Sequence, residues 1–319
     1  MYRKTAIALA IGAAIAPVAN AADFQINDST TLSIYGTVEP QIINLKDSAG
    51  DSATEFTDND STLGFEGEHN FNDATSGYFH AEFEWDVDEA GDGIDSTDEA
   101  YFGLKGGFGN IRFGTNDSLY ENAVGELLDE FENVSPTEPA NNGEGNQITY
   151  FSPSFSGFSF GAEVRFLGEN EDENLTGSSQ TGFELTANYD AENWGLVAGY
   201  SDGSTREGGA GFVDEATIGG GGYVKYGSVE VRGIYAAEDQ ADGSTTDYLG
   251  GIVGFDYGGG DVYFAVQDIS PDGVDSRTEI AVGIYHKLYK NLEVFAEYGT
   301  FDNVNDEGDT IAGGAIFKF

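Results

Sequence analysis

Few residues of this chain have the types and spacing that catalysis needs. The histidines are His69, His80 and His286, and the chain contains no cysteine and no Gly-x-Ser-x-Gly elbow. The absence of thiols excludes a Cys nucleophile, a thiolate metal site and a disulfide scaffold. His80 has no identifiable nucleophile to activate. The sequence therefore predicts a protein that is not an enzyme.

One acidic segment partly matches a calcium-binding loop. Asp88, Asp92, Gly93 and Glu99 occupy matching positions, but Ala90 breaks the pattern, and the flanking segments look like strands rather than helices. An acidic hairpin tip is the preferred interpretation. We expect no metal site and no cofactor, with Ca²⁺ binding at the acidic loops as the open alternative.

The charge balance excludes one class of partner. The 319 residues include 57 Asp and Glu but only 13 Lys and Arg, for a formal net charge of −44. Nucleic acid is excluded, because its binding requires basic side chains that neutralise phosphates. The 23 Phe and 17 Tyr argue against a disordered acidic chain. These aromatic side chains must be buried or embedded.

The first residues have the organisation of an export signal. Arg3 and Lys4 precede a short apolar run from Ala6 to Ala16, and Ala19-Asn20-Ala21 is a small-x-small cleavage site. The apolar run is too short to cross a bilayer as a helix. We therefore expect a signal peptide at 1–21, a mature protein at 22–319, and export by a Gram-negative cell.

Period-two alternation of apolar and polar side chains dominates the mature chain. It is evident in 32–42, 78–87, 158–166, 280–288, 292–298 and 311–319, and sixteen strand candidates can be counted. Connections after even-numbered strands are short turns. Connections after odd-numbered strands are longer and acidic, at 47–60, 86–98, 169–180, 202–214, 238–247, 268–276 and 302–309.

This asymmetry of the connections predicts the fold class. A soluble sandwich also alternates, but short turns at one end and long loops at the other are typical of a transmembrane barrel. In lipid every backbone group must be paired, so the sheet must close. The prediction is an all-β, 16-stranded antiparallel transmembrane β-barrel. Pro40 falls inside a strand pattern and predicts a bulge or kink there.

Several short segments carry a family resemblance. They are Ile34-Tyr35-Gly36, Leu63–Glu68, Tyr101–Gly114, Ile148–Pro153 and Ile316–Phe319. In this order they resemble the general diffusion porins of the Gram-negative outer membrane. The resemblance implies a homotrimer in which each barrel has its own pore, contacts with outer-membrane lipid and lipopolysaccharide, and insertion by the barrel-assembly machinery. It also implies that Phe319 is part of the assembly signal.

The resemblance further implies that the third long loop, here 116–145, folds inward and narrows the pore. Within it, 118–131 could form a short helical turn, ended by Pro136 and Pro139. The alternative is a disordered exposed loop. Long loops without secondary structure are usually functional, and the apolar residues of this one could pack; they are Leu119, Leu127, Leu128 and Phe131.

The charged residues expected in the pore differ from the pattern that the resemblance implies. A ladder of basic side chains is expected opposite the loop, but Thr37, Thr62, Asp98 and Thr115 stand at its positions. The acidic constriction candidates are Glu121, Glu126, Asp129, Glu130 and Glu132. The lumen-wall candidates are Glu39, Glu66, Glu68, Glu82, Glu84, Arg112 and Arg165, with Thr37 and Thr62. The alternative is that these carboxylates are merely solvated and do not affect ion flow.

The sequence thus predicts an outer-membrane porin. It would form a water-filled, cation-selective channel for passive diffusion of cations and small hydrophilic solutes. Two alternatives stay open. One is a substrate-specific outer-membrane channel, and the other is a secreted soluble acidic β-protein that binds Ca²⁺ or carbohydrate.

Overall fold

The computed structural model describes residues 22–47, 50–88, 93–140, 145–167, 180–206, 212–214, 216–301 and 307–319. The predicted signal peptide at 1–21 lies outside the described residues. The strands in chain order are β1 (Ala22–Asn27), β2 (Thr30–Val38), β3 (Pro40–Asp47), β4 (Ser52–Asp58), β5 (Thr62–Asn72), β6 (Thr75–Trp85), β7 (Ile94–Gly106), β8 (Gly109–Thr115), β9 (Gln147–Phe151), β10 (Phe158–Leu167), β11 (Gln180–Asp190), β12 (Trp194–Ser201), β13 (Ser204–Arg206), β14 (Phe212–Asp214), β15 (Thr217–Tyr226), β16 (Val229–Asp239), β17 (Thr245–Asp256), β18 (Gly260–Pro271), β19 (Arg277–Tyr289), β20 (Leu292–Thr300) and β21 (Glu307–Lys318). Helix α1 (Leu119–Ala123) and a 3₁₀ turn (Gly125–Leu128) lie between β8 and β9.

The described strands close into a 16-stranded antiparallel β-barrel, as predicted. Strands β2 and β3 together form the first wall strand, and β4 and β5 form the second. The last strand, β21, pairs with β20 on one side and with β3 and the end of β2 on the other. Strand β1 folds back along β2, and β13 and β14 form a separate hairpin. Closure leaves no open edge in the wall.

Pro40 explains the interruption of the first wall strand. Strand β2 ends at Val38, and β3 begins at Pro40, with Glu39 between them. Proline cannot donate a ladder hydrogen bond, so the strand is interrupted at the position where the sequence predicted a bulge or kink. The second wall strand is interrupted next to it, at 59–61.

The two ends of the barrel differ as the sequence predicted, with corrections to individual loops. Short turns join β5 to β6, β7 to β8, β15 to β16 and β19 to β20. The predicted first loop at 47–60 is wrong in extent, because β4 (Ser52–Asp58) pairs there with β3. The predicted loop at 202–214 contains the hairpin of β13 and β14. The loop predicted at 302–309 ends earlier, because β21 begins at Glu307.

The two faces of the wall have opposite chemistry. Alternating residues of β12 are buried and exposed in turn, and outward side chains such as Leu196 and Leu249 are apolar and exposed. The buried inner set is rich in polar residues, including Glu163, Glu184 and Asn188. Among the described residues, no helix is long and apolar enough to span a membrane.

Candidate pore lining and third loop

The third loop begins with a capped helix. The Oγ of Ser118 accepts a hydrogen bond from the Glu121 backbone N–H at 3.1 Å, which satisfies a donor that the first turn of α1 leaves open. The helix has five residues and continues into the 3₁₀ turn. The predicted short helical turn within 118–131 is therefore confirmed. Residues 141–144, near the end of the predicted loop, lie outside the described residues.

The apolar side chains of this loop contact glycines on the barrel wall. A Cβ added to Gly199 would lie 2.9 Å from Tyr120, and one added to Gly299 would lie 2.7 Å from Val134. Carbon atoms do not approach so closely, so a side chain at these positions would displace the loop. The wall glycines beneath the loop are Gly161, Gly199, Gly219, Gly221, Gly250, Gly283 and Gly299. We call this row the glycine track.

The loop residues over the glycine track are almost fully buried. They are Leu119, Tyr120, Val124, Leu127, Leu128, Phe131 and Val134. Most of them share one hydrophobic cluster with wall residues such as Val197, Ile234 and Ile252. Burying a side chain of this size contributes roughly 1.5–3 kcal/mol. Packing therefore fixes the path of the loop along the wall. The sequence indicated that apolar residues of this loop could pack, but it did not predict the glycine track beneath them.

Wall carboxylates also bind the loop backbone. Glu297 accepts hydrogen bonds from the N–H groups of Glu132 and Asn133, at 2.7 and 2.9 Å. Glu279 accepts from the backbone N–H and the hydroxyl of Thr137, both at 2.8 Å. Hydrogen bonds to a charged acceptor are stronger than neutral ones. These two glutamates, on β19 and β20, therefore hold loop residues 132–137 against the wall.

A third wall glutamate holds the start of the helix. Glu184 on β11 accepts from the backbone N–H of Tyr120 at 2.7 Å. Burial, together with the nearby carboxylates of Glu238 and Glu184, raises the pKa of Tyr120. The phenol therefore stays neutral at physiological pH, as its position above the glycine track requires.

The five acidic constriction candidates occupy different environments. Glu130 is buried and forms an ion pair with Arg232, whereas Glu121, Glu126, Asp129 and Glu132 are half-buried. Asp129 accepts a hydrogen bond from Ser135 Oγ at 2.5 Å, and Glu132 accepts one from Asn59 Nδ2 at 3.2 Å. The structure thus distinguishes Glu130, which is buried in an ion pair with Arg232, from the four half-buried carboxylates.

Two inward arginines were not identified from the sequence. Arg232 on β16 lies between Glu130 of the loop and Glu230 of its own strand. Arg277 on β19 lies 3.3 Å from Glu279. Strand parity could have revealed Arg232, which lies on the same strand face as Glu230 and the buried Ile234. Glu230 and Glu279 lie two residues from these arginines on the same strand face and follow from the same parity. Glu130 could not be deduced, because it comes from the loop.

The predicted wall residue Arg165 is also compensated. Its guanidinium lies 3.1 Å from Glu163 and 3.1 Å from Glu184, and all three side chains are buried. Arg112 differs from it. The Arg112 guanidinium stacks over the rings of Tyr101 and Phe151, at 4.6 and 5.1 Å from their centroids.

The two threonines at ladder positions face inward and pack against each other. The hydroxyls of Thr37 and Thr62 are 3.2 Å apart, and the Thr62 backbone N–H donates to Thr37 Oγ1 at 3.1 Å. Thr62 is 2% exposed. Both side chains face inward, and their hydroxyls are covered by neighbouring groups. Their role as pore lining stays a prediction.

The acidic wall candidates divide by exposure. Glu39, Glu66 and Glu82 are buried, whereas Glu68 and Glu84 are half-buried. Glu68 forms a 2.9 Å ion pair with Lys105, and Glu84 accepts a hydrogen bond from Ser96 at 2.5 Å. Among the described residues, no group of three His, Asp or Glu is arranged to hold a metal ion.

A β-bulge shapes the wall around His80. Ala81 pairs with Ala100 but Phe83 pairs with Thr97, so β7 carries one extra residue opposite β6. Bulges of this kind redirect side chains. Glu99 now lies 3.1 Å from His80 Nε2, and Glu66 lies 3.1 Å from Nδ1. Glu99 belonged to the candidate calcium loop, and in the structure it lies on β7 instead.

Phe319 links the last wall strand to the first by backbone hydrogen bonds. The Phe319 N–H donates to the Gly36 carbonyl at 3.0 Å, and the Gly36 N–H donates to the Phe319 carbonyl at 3.2 Å. The side chain of Phe319 covers Gly36, where a Cβ would lie 2.7 Å from its ring. A role for Phe319 in assembly stays a prediction.

A closed barrel with an apolar exterior and a charged, polar interior defines an outer-membrane β-barrel channel protein. Comparison with known families makes the assignment specific. The chain belongs to the Gram-negative porin family, whose sequence model matches residues 5–306. It is accordingly a protein of the Gram-negative outer membrane.

The chain is similar to several porins along its whole length. It is 28% identical to the monosaccharide porin of a Halomonas species over 365 aligned positions, which cover 99% of this chain and 100% of the relative. Among solved structures it resembles the anion-selective porin from Comamonas acidovorans, with 19% identity, a TM-score of 0.77, and coverage of 91% and 100%. It also resembles Salmonella typhi OmpF in complex with daunomycin, with 19% identity, a TM-score of 0.73, and coverage of 93% and 100%.

Proposed function

We propose that this porin forms a water-filled, cation-selective channel for passive diffusion of ions and small hydrophilic solutes. The third loop, 116–145, is its constriction, and the half-buried carboxylates of the loop and the wall set its selectivity. A narrow pore lined by carboxylates concentrates cations and excludes anions.

One observation carries the proposal: three inward arginines lie against carboxylates and a fourth, Arg112, stacks on aromatic rings, while carboxylates remain in excess. Arg165, Arg232 and Arg277 each lie within 4 Å of a carboxylate, and the first two lie near two. In contrast, the half-buried carboxylates of the loop and the wall outnumber these arginines within the described part of the chain; they are Glu84, Glu121, Glu126, Asp129 and Glu132. Single-channel current across a planar bilayer under a KCl gradient tests pore formation, size and selectivity together.

A second candidate is a channel with preference for a particular solute class. It is favoured by the Halomonas relative, which is named a monosaccharide porin. Passage of neutral sugars is compatible with cation selectivity, because the carboxylates neither attract nor repel a solute without net charge. The soluble alternative is not carried further, since the chain belongs to an outer-membrane family.

We expect the protein to be a homotrimer in detergent. The outer faces of β2, β5 and β6 present apolar side chains that could pack between barrels, among them Ile34, Phe65, Phe79 and Phe83. Phe79 is 42% exposed in a single chain. Light scattering corrected for bound detergent should give three chains per particle. A monomer with full channel activity would refute the trimer.

We also expect thermal stability in detergent to rise between low salt and near-molar NaCl. Exposed acidic residues are frequent in the long loops, for example Asp242, Asp272 and Asp275. Their repulsion is screened as the Debye length falls from ~10 Å at 0.1 M to ~3 Å at 1 M. Melting followed by circular dichroism measures this change. An unchanged or lower melting temperature at high salt contradicts it.

A further inference from the structure

The long-loop mouth of the barrel is strongly acidic. Asp47 and Asp51 line a cavity beside the third loop, and Glu55 on β4 faces the interior, since its cross-strand partner Ile43 is buried. All three carboxylates are exposed. Lys46 is the one lysine at this end within the described residues. Further exposed carboxylates of this end are Asp60, Asp88, Asp242, Asp272 and Asp275.

The short-turn mouth carries most of the lysines. Four of those in the described residues lie in a short turn or within two residues of one; they are Lys105, Lys225, Lys287 and Lys290. Lys318 ends the last strand. The basic and acidic side chains of the wall are therefore distributed unequally between the two mouths.

The lysines beside the short turns neutralise carboxylates there. Lys105 and Lys225 lie over the rings of Tyr78 and Tyr223, at 5.5 and 5.0 Å from their centroids, and both tyrosines are buried on the inner face. The short-turn mouth is therefore less negative than the long-loop mouth. The ion pairs are Lys105–Glu68 at 2.9 Å, Lys225–Glu230 at 3.0 Å and Lys287–Asp261 at 3.5 Å.

A pore with more fixed negative charge at one mouth conducts unequally in the two directions. Cations carry nearly all of the current in the more acidic half, whereas anions carry a share of it in the other half. A voltage that drives cations from the acidic mouth brings both ions to the boundary between the halves faster than they leave it. Salt accumulates there, and the conductance rises. The opposite voltage depletes salt at the boundary and lowers the conductance.

We propose that this porin rectifies, conducting cations better from its long-loop side to its short-turn side than in reverse. Long loops of outer-membrane barrels face the outside and short turns face the periplasm, so the favoured direction is inward. The proposal rests on the proposed function, because it needs a cation-selective pore. It adds a direction, which carboxylates at the constriction alone do not supply.

The test compares single-channel currents at equal and opposite voltages in symmetric KCl. Orientation is read from Ala241→Cys, an exposed position between β16 and β17 in a chain without cysteine. Biotin on this thiol binds streptavidin, which cannot pass the pore and alters the current only from the long-loop side. The wild-type current should be about 1.5-fold larger with the long-loop side positive at ~0.1 M KCl, where the Debye length is ~10 Å, and nearly equal at ~1 M, where it is ~3 Å.

Lys287→Gln and Lys46→Gln are a matched pair of variants. The two lysines are 51% and 44% exposed, and they lie 3.5 Å from Asp261 and 3.4 Å from Asp309. Each variant removes one positive charge, so both should raise the cation preference. Lys287→Gln makes the short-turn mouth more acidic and should lower the current ratio. Lys46→Gln makes the long-loop mouth more acidic and should raise it.

Removing acidic side chains from the long-loop mouth is the converse test. Asp51→Asn with Glu55→Gln should bring the current ratio close to one and lower the cation preference. A cation-selective wild-type pore with equal currents at low salt overturns rectification alone. A larger current in the opposite direction, or a change of the ratio in the same direction in both lysine variants, also overturns it. A pore without cation selectivity contradicts the proposed function and, with it, this inference.

Discussion

Neutralising Glu126 and Asp129 together should lower the K⁺-over-Cl⁻ permeability ratio about tenfold, the equivalent of ~1.4 kcal/mol. Both carboxylates are half-buried on the third loop. A unit charge 4 Å from a carboxylate gains about 1 kcal/mol even in bulk water, and more beside low-dielectric walls. The reversal potential under a KCl gradient measures the ratio for the wild type and for the Glu126→Gln, Asp129→Asn variant.

A control with the same change of net charge separates a local effect from a general one. Asp272→Asn with Asp275→Asn removes two exposed carboxylates from the connection between β18 and β19, and it should change the ratio much less. Glu130→Gln is a further comparison. It should have a smaller effect than the loop double variant because Glu130 is already paired with Arg232. A wild-type pore that is unselective or anion-selective contradicts the proposed cation selectivity.

Thr62→Arg tests the missing basic ladder directly. The threonine faces inward next to Thr37 and pairs across the sheet with Glu84. An arginine there would add a guanidinium beside that carboxylate, so the cation preference should fall. Because Thr62 is covered in the structure, we expect a smaller change than that of the loop double variant. Melting of the variant by circular dichroism shows whether the barrel accepts the larger side chain.

Gly250→Val should release the third loop and increase the single-channel conductance. A Cβ at Gly250 would collide with Leu128 and approach Gln267 at 3.0 Å, and Gln267 holds the carbonyl of Thr137. Overpacking costs about 1–3 kcal/mol. The equilibrium constant for packing the loop on the glycine track should therefore fall on the order of tenfold to a hundredfold. Conductance and current noise in a planar bilayer report the wider and more mobile constriction.

Gly233→Val provides the matched control. Gly233 lies one strand away on β16, and a Cβ there would meet only the carbonyl of Gly250, at 3.6 Å. This variant carries the same added side chain with no loop residue to displace, so its conductance should equal that of the wild type. If both variants conduct alike, the contacts with the glycine track do not position the constriction.

The strand pattern could be predicted from the sequence because alternation is a local property. A strand with one face in lipid and one in a polar interior must alternate with period two. Turns between such strands are also local, so β5–β6, β7–β8 and β19–β20 follow directly from the residues between them. The interruption at Glu39 was predictable for the same reason, since Pro40 breaks the ladder by its own chemistry.

The sequence also determined the excess of carboxylates and the inward parity of Thr37, Thr62 and Arg165. Only the tertiary structure decided which of these charges are compensated. Arg232 meets Glu130 because the loop passes over β16, and Glu99 meets His80 because a bulge shifts β7. Contacts between residues far apart in the chain depend on closure of the barrel and on the path of one loop. Neither leaves a local pattern in the sequence, and the glycine track became recognisable only when the loop side chains were seen above it.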